Sequence, residues 1–344
     1  MKTAKVNFTD SYIELAHGAG GKASRRLIEG LLVPYMMGDK PAELNDAAYV
    51  EANGSRLAFT ADSFVVNPLV FPGGSIGELA VNGTINDLAM GGAKPLALVT
   101  TLIIEAGLTT SELEREVAAI AKAAQRVGVP VVGGDTKVVE HGKADGLYIT
   151  TAGIGLTDPR VSLSSRNVQP GDHVILSGAI GDHGITVLLA RGELDLEADL
   201  TSDTRAVWPF VSALIEAAAP GLRWLRDPTR GGVATALNEL ARDAQVAVIL
   251  DEEAIPVRPA VRGACEILGL DPLHIANEGQ FLAVISPEYA DIALKTLRSM
   301  PGGENAKRIG EIQAEPKKAV LARSQYGGTR LIDMLIGDPL PRIC

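Results

Sequence analysis

Short apolar runs alternate with stretches of helical periodicity along the whole chain, and this alternation restricts the fold to a mixed class, α+β with α/β-like units. The spacing predicts a helix over 109–127, where Leu113, Val117, Ile120, Ala121 and Ala124 share a face. Thr109 and Glu112 have capping-box spacing at its start, and Gly128 can close its end. A short buried strand is expected over 129–132, ending in the turn-like Gly133-Gly134-Asp135-Thr136, and another over 147–154. A new block opens with a strand over 172–177, a helix over 231–243, and strands over 246–250 and 280–285. No short period recurs, which excludes solenoids and propellers.

A length of 344 residues suits two domains of about 150 residues each. Asp158-Pro159 and Gln169-Pro170-Gly171 supply turn chemistry and place the boundary near 157–171. Aromatics are only 4%, so Ala, Val, Leu and Ile must fill both cores. The formal charge of −10, with no basic patch, argues against nucleic acid and against an anionic membrane surface as partners. The first ten residues lack an apolar signal region and no apolar run reaches about 18 residues, so a soluble cytoplasmic protein is expected. Two cysteines make no disulfide scaffold; Cys265, in a helix-like apolar stretch, reads as a packing residue.

Five features can carry chemistry. His17-Gly18-Ala19-Gly20-Gly21-Lys22 can present backbone N–H groups to a phosphate, although it lacks P-loop spacing, and a plain N-terminal loop is the competing reading. Asp46, Asp62, Asp87 and Asp227 are acids of the hard-oxygen kind that magnesium takes. Singly, each is equally a cap or turn residue, but Asp62 closes an apolar strand and Asp87 sits inside an apolar helix that Ser75 and Glu78 can cap, so each needs a partner or a metal. Gly134 and Thr136 follow a strand, where open α/β sheets place ligands, and Lys137 can hold a phosphate or serve as a base. Glu278, flanked by apolar residues, would have its pKa raised by desolvation and so suit proton transfer. Cys344 is the last residue, on a proline-stiffened stretch, 337–344, expected to be extended, mobile and exposed. At about 3 Å per residue that stretch spans roughly 20 Å, enough for an arm that swings inward for chemistry and outward for delivery.

These motifs occur in a distinctive order: His-Gly-Ala-Gly-Gly (17–21), Asp-Ser-Phe-Val-Val-Asn-Pro (62–68), Phe-Pro-Gly-Gly-Ser-Ile-Gly (71–77), Asn-Asp-Leu-Ala-Met (86–90), Gly-Asp-Thr-Lys-Val-Val (134–139), Gly-Asp-His-Gly (181–184), Asp-Pro-Thr-Arg-Gly-Gly (227–232), Ala-Asn-Glu-Gly (276–279) and the terminal Pro-Arg-Ile-Cys. From about Leu15 to its end the chain resembles the HypE family, the carbamoyl dehydratases of nickel-iron hydrogenase maturation, within the PurM-like aminoimidazole-ribonucleotide-synthetase superfamily. The resemblance implies an N-terminal segment with the glycine loop (1–40), an ATP-binding domain (41–157), a second domain of the same superfamily (165–325) and a tail bearing the reactive cysteine (326–344). It implies a homodimer with ATP near its interface, a HypF-type carbamoyltransferase as donor and a HypC–HypD-type iron–cyanide assembly complex as acceptor. Carried over by position, Asp46, Asp62, Asp87 and Asp227 match magnesium–nucleotide positions, Gly134 and Thr136 match a phosphate-contacting turn, and Lys137 and Glu278 match polar residues placed to face the incoming Cys344, while Gly20 and Gly21 stand as the phosphate-binding candidates of the N-terminal glycine loop. Many relatives have two adjacent acids where this chain has Asn45-Asp46, a departure at one corner of the ligand set.

The implied reaction turns a thiocarbamate on Cys344 into a thiocyanate. Its oxygen leaves poorly until the γ-phosphoryl group of ATP is transferred to it; a base then removes N–H protons as phosphate departs. A thiamine-monophosphate kinase or purine-pathway synthetase would share the acids but needs no terminal Pro-Arg-Ile-Cys, and a selenophosphate synthetase would carry cysteine or selenocysteine in the N-terminal glycine loop. A non-catalytic thiol carrier would need no magnesium-type acids.

Overall fold

The structure is a computed structural model that describes residues 8–37, 44–192, 198–337, 340 and 342–344. The first seven residues, and Asp338, Pro339 and Pro341 of the predicted tail, lie outside the described residues. Helices α1 (Lys22–Leu27) and α2 (Val33–Met36) lead into strands β1 (Ala48–Ala52) and β2 (Ser55–Phe64) and the small ladder β3 (Val70–Phe71) with β4 (Gly74–Ser75). Then follow α3 (Ile76–Met90), β5 (Ala93–Glu105), α4 (Thr110–Val127), β6 (Val131–Val139) and β7 (Leu147–Thr157). The second half holds β8 (His173–Leu176), α5 (Asp182–Ala190), α6 (Trp208–Ala218), β9 (Leu222–Arg226), α7 (Gly232–Ala244), β10 (Ala247–Asp251), α8 (Pro259–Leu268), β11 (Leu282–Ile285), α9 (Pro287–Arg298), β12 (Lys307–Gln313), β13 (Ala319–Arg323) and β14 (Thr329–Ile332). One sheet runs β1-β2-β7-β5-β6 and the other β14-β13-β10-β12-β8-β11-β9, so the mixed class expected from the alternation is what forms. Among the described residues no helix is long and apolar enough to cross a membrane.

Helix α4 begins and ends where its sequence signals lie. Thr109 and Glu112 form the capping box, and Gly128 takes the left-handed conformation, at φ +68°, that closes the helix. Its buried stripe differs from the predicted face: Val117 and Ala121 are exposed, and Glu116 is buried instead. The reason is tertiary. The Glu116 carboxylate accepts the Gly77 N–H, at 3.1 Å, in the first turn of α3, where the helix dipole favours a negative charge. The predicted Ser75–Glu78 box does not form; Ser75 makes no cap bond, and Glu78 pairs with Arg126 of α4. Gly77 is required because a Cβ there would stand 2.4 Å from the Glu116 carbonyl oxygen, so α3 and α4 approach backbone to backbone.

The glycines at 133–134 are not in a turn: β6 runs straight through them to Val139 at the edge of its sheet. A Cβ on Gly134 would lie 1.8 Å from the Thr100 carbonyl oxygen, so close strand approach explains that glycine.

The tail also departs from expectation. Leu340 and Ile343 are buried in the core that contains Phe64, Val66, Ile185 and Ile275, and Cys344 is half-buried. Apolar side chains near the end of the chain favour docking over free motion, because burial of each stabilises by about 1.5–3 kcal/mol relative to exposure. Cys265 is buried in α8 as expected, and burial pushes its thiol up to about 11, away from reactivity.

Candidate functional site

Three of the four predicted acids converge. One carboxylate oxygen from each of Asp46, Asp87 and Asp227 lies within 4.8 Å of the others. Asp46 stands just before β1, Asp87 on α3 and Asp227 directly after β9, so elements of both sheets build the cluster. Asp62, on β2, lines the same cavity of about 290 Å³, and so do Glu278 and Cys344. Sequence reasoning gave Arg226 and Arg230 no role, yet both line it. Arg226 Nε holds Asp46 Oδ1 at 3.0 Å and its Nη2 holds Glu239 at 3.0 Å. The only local signal for Arg226 was its place beside Asp227.

Crowding of like charge in a buried place sets the electrostatics. Burial pushes Asp46 up to about 6 even though Arg226 pulls it down. Asp87 and Asp227 are raised well above the usual carboxylate range, by burial first and then by the other acids. Thr60 Oγ1 donates to Asp87 Oδ2 at 2.6 Å, which offsets part of the cost of holding that charge. A site of this kind resists holding all its protons off unless a cation enters.

Glu278 is almost fully buried, and its Oε1 has no hydrogen-bond partner among the described residues. Burial raises its pKa well above the usual carboxylate range, and Asp227, Asp203 and Asp62 push the same way. The loop holding it is fixed from three sides. Asn277 donates to the Pro228 carbonyl at 2.9 Å and accepts the Gly181 N–H at 2.7 Å, tying the loop to two glycine-containing turns. Asp203, which carried no sequence signal, accepts the N–H groups of Glu278 and Gly279 at 3.1 and 3.2 Å. Gly279 packs so closely on the Asp203 carbonyl that a Cβ would come within 1.8 Å of it. Asn86, one residue before Asp87, donates to the Glu278 carbonyl at 3.1 Å and joins this loop to α3.

The remaining predicted residues lie elsewhere. Gly20 and Gly21 line a neighbouring cavity that shares Asp227 and Arg230 with the first. Their role is partly packing: the Gly20 N–H donates to Ser24 Oγ at 2.8 Å, and a Cβ on Gly21 would meet the Leu335 carbonyl at 2.2 Å. Lys22 is paired with Asp333. Gly134, Thr136 and Lys137 do not reach the acid cavity of their own chain. Asp62 is paired with Thr151, Thr151 with Thr100 and Thr100 with Gly134, so these four share the sheet face that packs on α3. Gly134 and Thr136 are therefore on the correct face, but three strands away, roughly 14 Å. Lys137, three residues beyond Gly134, points to the opposite face, where it pairs with Asp135 at 2.7 Å.

Comparison with known proteins gives a consistent result. Residues 44–157 match the N-terminal domain of the AIR synthase related proteins, and 169–323 match their C-terminal domain. Carbamoyl dehydratase HypE of Azotobacter vinelandii is 47% identical over 341 residues, covering 99% of this chain and 100% of the relative. A crystal structure of a HypE–HypF complex superposes with a TM-score of 0.85 at 41% identity, covering 90% of this chain and 99% of the other. The crystal structure of hydrogenase maturation protein HypE in complex with ATP gives 0.80 at 44% identity, covering 97% and 100%.

Proposed function

Since the chain belongs to the HypE family of carbamoyl dehydratases, we propose that it dehydrates a carbamoyl group carried on Cys344 to a thiocyanate, with ATP and magnesium. One observation carries the reading: the C-terminal cysteine docks into a cavity lined by four aspartates and by a buried glutamate whose Oε1 has no hydrogen-bond partner among the described residues. A thiol carrier would have no use for that arrangement.

The donor set fits a hard divalent cation. Asp46, Asp87 and Asp227 would hold it, with Asp62 at the cavity wall, and bound magnesium would neutralise these acids so that a polyphosphate can approach. Arg226 orients Asp46. In the proposed course the γ-phosphoryl group passes from ATP to the carbamoyl oxygen, and the carbon–oxygen bond breaks as phosphate leaves. The N–H protons go to a base, and Cys–S–C≡N, ADP and phosphate result. Glu278 is the base that this chain supplies to its own tail. The hydrogenase receives cyanide from the thiocyanate.

The HypE–HypF complex supports a HypF-type carbamoyltransferase as the partner that loads Cys344. A HypC–HypD-type complex as acceptor, and a homodimer, complete the proposal. The outer face of the first sheet exposes Phe59, Val99 and Leu156, apolar surface that a second copy would cover, and the same contact would carry Thr136 and Lys137 toward the other copy's nucleotide. Incubating the protein with ATP and a carbamoyl-donor system, then weighing the C-terminal peptide, tests the reading. Loss of one water from the carbamoylated peptide is expected; a peptide that stays carbamoylated would remove the dehydratase assignment.

The acid cluster gives a two-sided expectation for Asp87→Asn. A carboxyl whose pKa is raised by folding contributes stability at low pH that is lost as pH rises through the raised value. Metal-free Asp87→Asn should therefore melt higher than the wild type at pH 8 and no higher at pH 4, while Thr60 can still donate to the amide oxygen. Its affinity for magnesium–ATP should fall, as should that of Asp62→Asn. Thermal melts at the two pH values and nucleotide titrations check both halves, and wild-type affinity in both variants would remove the metal role of these acids.

A further inference from the structure

Among the contacts that hold the tail in the cavity, one is made by a buried imidazole. His183 lies in the first turn of α5 and is fully buried. Its Nε2 is 2.6 Å from the carbonyl oxygen of Ile343, the residue before the reactive cysteine. A carbonyl can only accept, so Nε2 carries the hydrogen. Its Nδ1 is 2.8 Å from Ser202 Oγ. That hydroxyl already accepts the Thr204 N–H, at 3.1 Å, so its own hydrogen is left for Nδ1. The bonds therefore run in one direction, from Thr204 through Ser202 and His183 to the tail. Phe71 meets the ring edge-on, with centroids 5.4 Å apart, and limits its rotation.

We propose that His183, oriented by Ser202, is a positioning residue that holds the Ile343 carbonyl and so sets where the Cys344 side chain stands against the acids and Glu278. The inference rests on the reading of Cys344 as the carrier of the carbamoyl group. The last two residues are gripped in turn: His183 holds the carbonyl of the peptide unit joining Ile343 to Cys344, and the Val65 N–H donates to a main-chain carboxyl oxygen of Cys344 at 3.1 Å. Arg191 Nη2 holds the Arg342 carbonyl at 2.9 Å, one residue further back. A buried histidine with a purely structural role has its partners in the fixed scaffold. This one joins the scaffold to a chain end that must leave the cavity to be loaded. Burial lowers its pKa from the ordinary histidine value, although the nearby Asp203 and the bond to Ile343 oppose this, and a neutral ring with one N–H is the form the two contacts require.

The Ser202–Asp203 pair gives the arrangement a second consequence. Ser202 orients the residue that grips the tail, and Asp203 caps the N–H groups of Glu278 and Gly279. One short segment therefore sets both the carbamoyl carrier and the proposed base, and their separation depends on its backbone. Misplacement by about 1 Å can cost on the order of 10²-fold in rate.

Loss of the imidazole moves the tail from its docked to its undocked population, and two readouts must then shift in opposite directions. The full-length His183→Leu protein is compared with His183→Gln, whose amide can still donate to the carbonyl, and with the wild type. Timed alkylation with iodoacetamide, read on the C-terminal peptide by mass spectrometry, is expected to be about tenfold faster in the leucine variant. Single-turnover dehydration of carbamoylated Cys344 is expected to be about 10- to 100-fold slower. The glutamine variant should recover part of both. Alkylation at the wild-type rate in folded His183→Leu, or in Ser202→Ala if the leucine variant does not fold, overturns the proposal. The alkylation readout needs neither ATP nor a carbamoyl donor. Failure of the dehydratase reading, which would show as an inactive wild type, is therefore distinguished from failure of the positioning role.

Discussion

Replacing Cys344 with alanine is expected to abolish thiocyanate formation and to leave folding and nucleotide binding intact. The substitution removes the sulfur and keeps the Cβ. Bonds that dock the end of the chain run through the carbonyls of Arg342 and Ile343, the main-chain carboxyl of Cys344 and the Arg342 guanidinium, which pairs with Asp145, and alanine keeps all of these groups. The apolar anchors Leu340 and Ile343 are unchanged. The variant tail should therefore still dock, and the loss of stability should be about 1 kcal/mol or less, since only one half-buried sulfur at the edge of the core is removed. Cys265 cannot stand in for the lost thiol, because it is buried in α8 and burial raises its pKa to about 11. The check is mass spectrometry for the cyanide-bearing product alongside a thermal melt and an ATP titration. An undiminished yield of product would end the assignment of Cys344 as the carrier.

Glu278→Gln should slow dehydration by about 10²- to 10⁴-fold, the usual cost of a lost general base, and should spare carbamoylation and ATP binding. Glutamine preserves shape, and it sits in a loop whose backbone is fixed by Asp203, Asn277 and Asn86 rather than by the Glu278 carboxylate. Because the Glu278 pKa is raised, the wild-type rate should climb as pH rises through that value, and the glutamine variant should lose this limb. Stability should move the other way. The charged glutamate is the costly form in its buried site, so the variant should be more stable than the wild type at high pH and equal to it at low pH. Single-turnover conversion of pre-carbamoylated Cys344 isolates the step. Conversion at the wild-type rate would take the base role from Glu278.

Lys137→Ala supplies the companion experiment. Lys137 faces away from the acid cavity of its own chain, so in the homodimer proposed above its effect on dehydration would come through the second copy. If the alanine variant is inactive, mixing it with Glu278→Gln should restore part of the activity in mixed assemblies, since one cavity would then be complete. If neither variant is impaired, the deprotonating group lies elsewhere in the cavity.

The residues show plainly why part of this protein was legible and part was not. Helix α4 was legible because Thr109, Glu112 and Gly128 act within one turn of the helix ends. Asp87 and Glu278 announced themselves as polar groups in apolar surroundings, which is a local property too. The burial of Glu116 was hidden, since its reason is an N–H of α3 that lies 39 residues away. Asp203 and His183 were hidden in the same way, their partners being 75 and 160 residues distant. The tail read as a mobile arm because its prolines are local, whereas the core that receives Leu340 and Ile343 is not.

By itself, then, the sequence determined the mixed fold class, the caps of α4, the identities of the acids and the terminal thiol, all through short-range chemistry and the order of motifs. Only the tertiary structure decided which of these meet. Side chains alternate between faces along a strand, so the pairing of β2, β7, β5 and β6 puts Lys137 on the side away from Asp62. The loops after β9 and before β11 meanwhile bring Asp227 and Glu278 to the docked Cys344. Strand register and loop closure depend on contacts between distant parts of the chain, and no local window of residues contains them.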